Sequence, residues 1–350
     1  MLKVSTIITY PVLTLLSIGK KSFENMGKLI HRSGDTVARL LQPASISYAH
    51  SQKLCQSMFM NKKKLFFIVD DTLIKKFFSR FMQGSGSFFD TKAGRRITAY
   101  RLILGMISDG KLAIPIDSAY LFSKELVDRM AKKPKTKSEI AKDFVELAIQ
   151  LFPQAKIIVL ADGLYSTIDF LTWCVENKIA AEMRMHSNRM VFYKGQKISL
   201  KKLLEQKGIR PKGRQMARTI SVLWHGLNLE ITIVRRIDKH GEESIVFQVA
   251  TYKALPREHV EHYKKRWVIE KAFRTTKQKL GLQECFSLSL EKQQNHVAAV
   301  FLAYALTQLE MKKHRLKTPE DAIRRLETQN VPPLINRFAL LVQPFHKVHA

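Results

Sequence analysis

The stretch Leu65-Phe-Phe-Ile-Val69-Asp70-Asp71-Thr72 is a short apolar run that ends in two adjacent acids. Such a run predicts a central strand that is buried on both faces. A second run, Ile157-Ile-Val-Leu-Ala161, is also followed directly by an acid, Asp162. Open α/β sheets place their sites at the carboxyl ends of their strands, so we expect Asp70 and Asp162 to meet there.

The predicted elements around these two strands have a recognisable order. Three strands come first, at residues 65–69, 97–107 and 112–121. They are followed by a helix at 138–151, a strand at 157–161, a helix at 167–177 and a strand at 179–185. Asp109-Gly110, between the second and third strands, is a strong hairpin signal. This order is that of the ribonuclease H-like fold, so we expect a mixed α/β sheet flanked by helices. The first and fourth strands are neighbours in that fold.

A third acid lies in the segment Tyr263-Lys-Lys-Arg266-Trp-Val-Ile-Glu270. On one continuous helix over residues 261–280, at about 100° per residue, a narrow stripe holds Tyr263, Arg266, Glu270, Arg274 and Lys277. One carboxylate is thereby flanked by cations and a phenol, which suits metal and phosphate chemistry. The simpler alternative is a solvated helix face with salt bridges at i, i+4 spacing. Trp267 is expected to be buried, with stacking on a DNA base as the alternative.

Asp70, Asp162 and Glu270 form a candidate set of metal ligands. Three carboxylates on two strands and a helix can hold two divalent ions about 3.5–4 Å apart. Oxygen ligands and an open coordination sphere favour Mg²⁺, with Mn²⁺ as a substitute. The sequence therefore predicts a site for two Mg²⁺ ions.

The charge of the chain indicates a polyanionic partner. Lys and Arg number 59 and Asp and Glu 30, a formal net charge of +29 that is spread along the chain. This balance favours nucleic acid over a merely basic soluble protein. The three cysteines are far apart and form no Cys-x-x-Cys, which argues against zinc or a disulfide framework and fits a reducing cytoplasm. The apolar run at 4–18 is interpreted as a buried helix, because it is too short to span a bilayer.

The sequence predicts five segments. A helical N-terminal DNA-binding domain spans residues 1–60, and the first part of the core spans 61–185. A β-rich insertion follows at 186–260. The second part of the core, with the acid-bearing helix, spans 261–315, and a C-terminal helical segment spans 316–350. Ser33-Gly34 separates two short helical patterns in the first segment. That pattern is compatible with a helix-turn-helix, although any helical hairpin has it.

The third acid segment resembles a known motif. Tyr263-x-x-Arg266-x-x-x-Glu270, with Lys277 after six intervening residues, is similar to the Tyr-Arg-Glu-Lys signature of the insertion-sequence-four family of bacterial DDE transposases. Ile-Val-Asp70-Asp71-Thr72 and Ile-Val-Leu-Ala-Asp162-Gly163 resemble the first and second acid motifs of that family, over about residues 61–310. The first motif can be aligned to Asp70 or to Asp71, and Asp70 is preferred because it directly follows the apolar run.

The resemblance implies a role for each matched residue. The metal-binding acids become Asp70, Asp162 and Glu270. Arg266 and Lys277 would hold phosphates near the cleaved end, and Arg274 lies on the same stripe as a further candidate DNA contact. Tyr263 would position the terminal phosphate when the transposon end closes as a hairpin.

The resemblance also implies an activity and a partner. We expect a bacterial enzyme that performs cut-and-paste transposition on double-stranded DNA. It would act at the terminal inverted repeats of the element and at a target. The enzyme would be cytoplasmic and associated with the nucleoid through the DNA that it binds. Two ends must be joined together, which suggests a homodimer in the DNA complex. The alternatives are a ribonuclease H-like endonuclease or resolvase, and a transposase-derived DNA-binding protein without activity.

Overall fold

The computed structural model describes residues 4–76, 81–128, 133–206, 208–212, 216–238 and 240–342. Residues 343–350 of the predicted C-terminal segment lie outside the described residues. Within these ranges the chain has thirteen helices and eleven strands, which confirms the predicted mixed α/β class.

The elements are numbered in chain order. The helices are α1 (Val4–Leu16), α2 (Phe23–Lys28), α3 (Gly34–Arg39), α4 (Ala44–Phe59), α5 (Lys124–Val127), α6 (Lys137–Leu151), α7 (Ile168–Glu176), α8 (Leu200–Leu203), α9 (Pro256–Lys264), α10 (Trp267–Lys279), α11 (Leu290–His314), α12 (Pro319–Glu327) and α13 (Val331–Val342). The strands are β1 (Lys64–Lys75), β2 (Gly86–Asp90), β3 (Arg95–Ser108), β4 (Ala113–Leu121), β5 (Lys156–Ala161), β6 (Ala180–Met185), β7 (Met190–Tyr193), β8 (Gln196–Ser199), β9 (Ala217–Trp224), β10 (Leu227–Ile237) and β11 (Glu243–Ala250).

The chain divides into two compact units. The first unit contains the residues up to 62, 71–136 and those from 269 onward, and the second unit contains 63–70 and 137–268. The division therefore falls inside β1, after Asp70, and inside α10, after Val268.

The second unit is built around three parallel strands. β1 pairs in parallel with β5, and β5 pairs in parallel with β6. The apolar run 65–69 is almost fully buried, as is 158–161, because both faces of these strands are covered. These two predicted strands are confirmed. The register sets Val69 opposite Ala161, so Asp70 and Asp162 follow directly at the same edge.

The β-rich segment of the second unit extends this sheet with antiparallel strands. The hydrogen-bonded neighbours are β1, β5, β6, β11, β10, β9, β7 and β8 in that order. β11 joins through antiparallel pairing with β6, in which Phe247 lies opposite Met185. The strands of residues 190–250 are thus part of the same sheet that holds Asp70 and Asp162.

The first unit contains the predicted hairpin and most of the helices. β3 and β4 pair antiparallel across a turn at Asp109 and Gly110, which confirms the hairpin. Gly110 has a φ of 92°, a backbone conformation that favours glycine, and Asp109 Oδ1 accepts hydrogen bonds from the N–H of Lys111 (3.0 Å) and Leu112 (2.9 Å). β2, which pairs with β3, was missed because its five residues contain only two apolar side chains.

The N-terminal apolar run forms a buried helix, as interpreted from the sequence. Ile8 and Leu13 of α1 are fully buried. Among the described residues, no helix is both long and apolar enough to cross a membrane.

A buried carboxylate joins the last helices of the first unit. The side chain of Glu310, on α11, is only 2% exposed, and its Oε2 accepts a hydrogen bond of 2.9 Å from Arg337 on α13. The Nε of Arg325, on α12, lies 3.5 Å from Glu310 Oε1. One acid therefore links three helices.

Glu310→Ala should destabilise the fold, because it leaves Arg337 without its buried counter-charge. Because Arg337 is partly exposed, the main loss is its hydrogen bond to a charged group, which costs about 2 kcal/mol. The free energy of unfolding, from chemical denaturation followed by circular dichroism, measures this loss. The exposed Glu291→Gln on the same helix is the matched control and should cost under about 1 kcal/mol. Equal losses in the two variants would contradict the assignment.

Candidate active site at the strand ends

The second unit brings two of the predicted acids together. Asp70 and Asp162 directly follow a register pair of parallel strands, and neighbouring strands lie roughly 4.8 Å apart. Asp70 Oδ2 accepts a hydrogen bond of 2.8 Å from Arg266 Nη1, and both side chains are 15% exposed. Asp162 Oδ1 accepts one of 2.8 Å from the N–H of Leu164, which holds the turn after β5. Two carboxylates and one guanidinium therefore share this strand edge.

Asp71 has a different environment from Asp70. Neighbouring residues of a strand point to opposite faces. Asp71 Oδ2 lies 3.6 Å from Arg101 Nε on β3, in the first unit. The two adjacent acids are thus distinguished by their arginine partners.

The predicted continuous helix over 261–280 is wrong. α9 ends at Lys264 and α10 begins at Trp267, so Tyr263, Arg266 and Lys277 do not share one helix. Between them, the N–H groups of Lys265 and Arg266 donate to the carbonyls three residues earlier, at 2.9 and 3.1 Å, as in a 3₁₀ turn. The Arg266 side chain in this turn is held by Asp70, a contact that the local sequence does not reveal.

Trp267, the first residue of α10, is 51% exposed, so the expectation of a buried tryptophan is also wrong. The interruption of the helix places it at a helix start and not within a continuous buried face.

Tyr263 is buried among four charged groups of the second unit. Burial is the largest influence on its phenol and raises the pKa. The charges of Arg266 and Arg184 act in the opposite direction, and those of Asp162 and Asp70 add to the rise. The net rise keeps the hydroxyl protonated and able to donate a hydrogen bond. Arg184 was not among the residues identified from the sequence.

A buried network holds the helix that carries Tyr263. Glu182, on β6, is 1% exposed and accepts a hydrogen bond from the Tyr252 hydroxyl. Its Oε1 lies 2.8 Å from His259 Nδ1 and 3.3 Å from His262 Nδ1, both on α9. Burial alone would raise the pKa of Glu182, but these hydrogen bonds outweigh it and lower the pKa. The sequence signal for this network is the acid inside an otherwise largely apolar strand.

The remaining predicted residues lie on α10 in the first unit. Glu270, Arg274 and Lys277 are spaced i, i+4 and i+7 and so share one face of that helix. Arg274 is exposed, whereas Glu270 and Lys277 are half-buried. Lys277 Nζ donates a hydrogen bond of 2.6 Å to Thr72 Oγ1. With Asp71, the first unit thus holds two acids and two cations of the predicted set.

Carboxylate oxygens are suitable ligands for Mg²⁺, and the Asp70–Asp162 pair offers them at one strand edge. The structure shows no complete metal cluster: within the described ranges, no group of three or more His, Cys, Asp and Glu side chains is gathered for a metal ion. Two of the three predicted ligands, Asp70 and Asp162, follow paired positions of adjacent strands.

A sequence profile of the transposase DDE domain matches residues 61–306, well over half of the chain. The chain belongs to the transposase DDE domain family. Curated proteins give no match to this sequence. Family membership confirms the predicted DDE transposase class, and with it a transposase function that acts on DNA. The DDE domain includes Asp70, Asp162 and Glu270, while α1 to α4 precede it. DDE transposases are generally dependent on divalent metal ions.

The Lys277 amine should have a pKa well below that of an ordinary lysine. Burial is the largest influence, and with the charges of Lys75 and Lys92 it lowers the pKa from 10.5 to about 8. Below about pH 8 the amine is charged in the folded state, and its burial then destabilises the fold. This destabilisation decreases as the pH rises toward the pKa that the amine has in the unfolded chain. Lys277→Met removes this cost, so it should be more stable than the parent at about pH 7, with a smaller advantage at about pH 9.5.

The unfolding free energies of Lys277→Met and of the parent protein at the two pH values measure the effect. Lys313→Met, at an exposed position of α11, is the control and should show a constant difference. If the difference in unfolding free energy between Lys277→Met and the parent is also the same at both pH values, the pKa of this amine is not lowered in the folded protein.

Proposed function

We propose that this DDE domain protein is a cut-and-paste transposase of the insertion-sequence-four type. It would cut both strands at the element ends by phosphodiester hydrolysis and join the ends to a target by strand transfer. The main support is the register that sets Asp70 beside Asp162, with Arg266 bound at the same edge. The Tyr-Arg-Glu-Lys spacing supports the more specific family assignment.

In this proposal Asp70, Asp162 and Glu270 hold two Mg²⁺ ions, which Mn²⁺ can replace. When bound, the ions supply activation of the attacking oxygen and stabilisation of the leaving oxygen. The register supports Asp70 as the first ligand, because it sets Asp70 and not Asp71 beside Asp162.

The other site residues would act on the DNA itself. Tyr263, kept protonated by its buried position, is suited to donate a hydrogen bond to a terminal phosphate. Arg266 would exchange Asp70 for a DNA phosphate, and the guanidinium can grip two phosphate oxygens at once. Lys277 and the exposed Arg274 supply further positive charge along α10.

The proposal extends to the organisation of the chain. A ribonuclease H-like core over 61–185 and 261–315 is supported by parallel β1, β5 and β6 and by the antiparallel β3–β4 hairpin. The β-rich insertion would be 186–260, and residues 1–60 would read the inverted repeats. Residues 316–350 would form the C-terminal segment, and the active complex would be a homodimer on DNA. Family membership does not favour a resolvase or an inactive DNA-binding protein.

Asp70→Asn, Asp162→Asn and Glu270→Gln should each reduce strand cleavage at least about 100-fold, because each removes a metal-binding charge. Binding should be largely retained, since Lys and Arg supply the grip on DNA. Cleavage and binding are measured on duplexes that carry the inverted repeats flanking the gene, in Mg²⁺. Asp71→Asn is the matched control and should cleave. Cleavage by Glu270→Gln at the parental rate would refute the assignment, and loss of activity in Asp71→Asn alone would move the first ligand to Asp71.

Arg266→Ala and Lys277→Ala should slow cleavage and end joining more than they weaken initial binding. A charge placed at the reacting phosphate acts mainly in the transition state, and its loss costs about 100-fold in rate. Arg266→Lys should restore only part of the rate, because the planar fork is lost. Single-turnover rates and equilibrium binding separate the two effects. Normal cleavage together with a lower melting temperature in both alanine variants would make these cations purely structural.

A further inference from the structure

The register that aligns Asp70 with Asp162 continues onto a third strand. Ala161 of β5 lies opposite Met183 of β6, as it lies opposite Val69 of β1. The next position along the three strands therefore holds Asp70, Asp162 and Arg184. Residues in one cross-strand row face the same side of a sheet. The row at this edge is consequently acid, acid, arginine.

Close contacts place Arg184 beside the second acid motif. The turn after Asp162 packs so tightly on β6 that a Cβ on Gly163 would lie 3.3 Å from the Arg184 carbonyl oxygen and 3.7 Å from Arg184 Cβ. The charge of Arg184 also reaches the Tyr263 phenol. Arg184 thus lies against the turn that follows Asp162, and its charge acts on the Tyr263 phenol.

The two arginines near these acids differ in exposure and in hydrogen bonding. Arg266 is half-buried and hydrogen-bonded to Asp70. Arg184 is exposed, and its guanidinium has no hydrogen bond or ion pair to any other part of the chain that the structure describes. Two residues earlier on the same face, Glu182 is fixed in its buried network, so the strand beneath Arg184 is held in place.

We propose that Arg184 binds a backbone phosphate of the DNA beside Asp162, as a further cation of the second unit in addition to Arg266. This inference rests on the proposed function, and it adds a contact that the Tyr-Arg-Glu-Lys spacing does not contain. A guanidinium forms two parallel hydrogen bonds to a phosphate, and such contacts position a protein on DNA without reading sequence. The neighbouring carboxylates would repel a phosphate, so a cation in the same row is needed to bring one close.

The experiment measures equilibrium binding across a range of salt concentrations, in EDTA so that no strand is cut. The probes are a duplex with the flanking inverted repeats and a duplex of scrambled sequence. Arg184→Ala should weaken binding to both about 10-fold and lower the magnitude of the salt slope by about one. Arg184→Lys should restore the slope but only part of the affinity. The matched control is Arg236→Ala, an exposed arginine of β10, which should leave both quantities unchanged.

A second measurement locates the contact. Neutral methylphosphonate linkages are placed one at a time along the inverted-repeat duplex. At one position the neutral linkage should weaken DNA binding by the parent protein and cause no further loss of binding by Arg184→Ala. Parental affinity and slope in Arg184→Ala would overturn the proposal, and so would a lower melting temperature with an unchanged slope. If the parent fails to prefer or cut the inverted repeats while Arg184→Ala still lowers the slope on scrambled DNA, the proposed function falls and the phosphate contact stands.

Discussion

The hydrogen-bond register of β1, β5 and β6 is the constraint on which the candidate site depends. A slip of one residue would turn every side chain of a strand to the opposite face. Because both apolar runs are buried, burial alone does not choose between the faces. The parallel pairing itself therefore sets Asp70, Asp162 and Arg184 in one row. A mutation far from the acids that shifted this pairing would remove the site without touching any of its residues.

Charge is organised around these strands in pairs. Asp70 contacts Arg266, Asp71 contacts Arg101, and Lys75 of the same strand contacts Asp90. The chain has 59 basic and 30 acidic residues, so cations remain after every acid has a partner. The excess is available for a polyanion, and the family assignment identifies that polyanion as DNA.

Much of the fold could be predicted because its signals are local. Short continuous segments carry these signals: the apolar runs before Asp70 and Asp162, and the Asp109-Gly110 turn. The interruption between α9 and α10 could not be predicted, since the segment has no glycine or proline and Arg266 is held by an acid 196 positions away. The partners of Glu182 are 70 to 80 positions distant, so only the folded chain reveals their network. Arg184 was missed for the same reason, because its importance comes from strand register and not from a motif.

The Glu182 network has a consequence for the local dynamics of α9. Glu182 has a lowered pKa although it is almost fully buried, so its charge is compensated by groups that α9 and Tyr252 supply. If α9 frayed, that charge would lose two of its hydrogen-bonding partners, at a cost of several kcal/mol. Local opening of the helix should therefore be rare, and the backbone amides near Tyr263 should be among the slowest in the second unit to exchange with solvent. The phenol is thus held in position before any DNA arrives, and binding need not first order this part of the site.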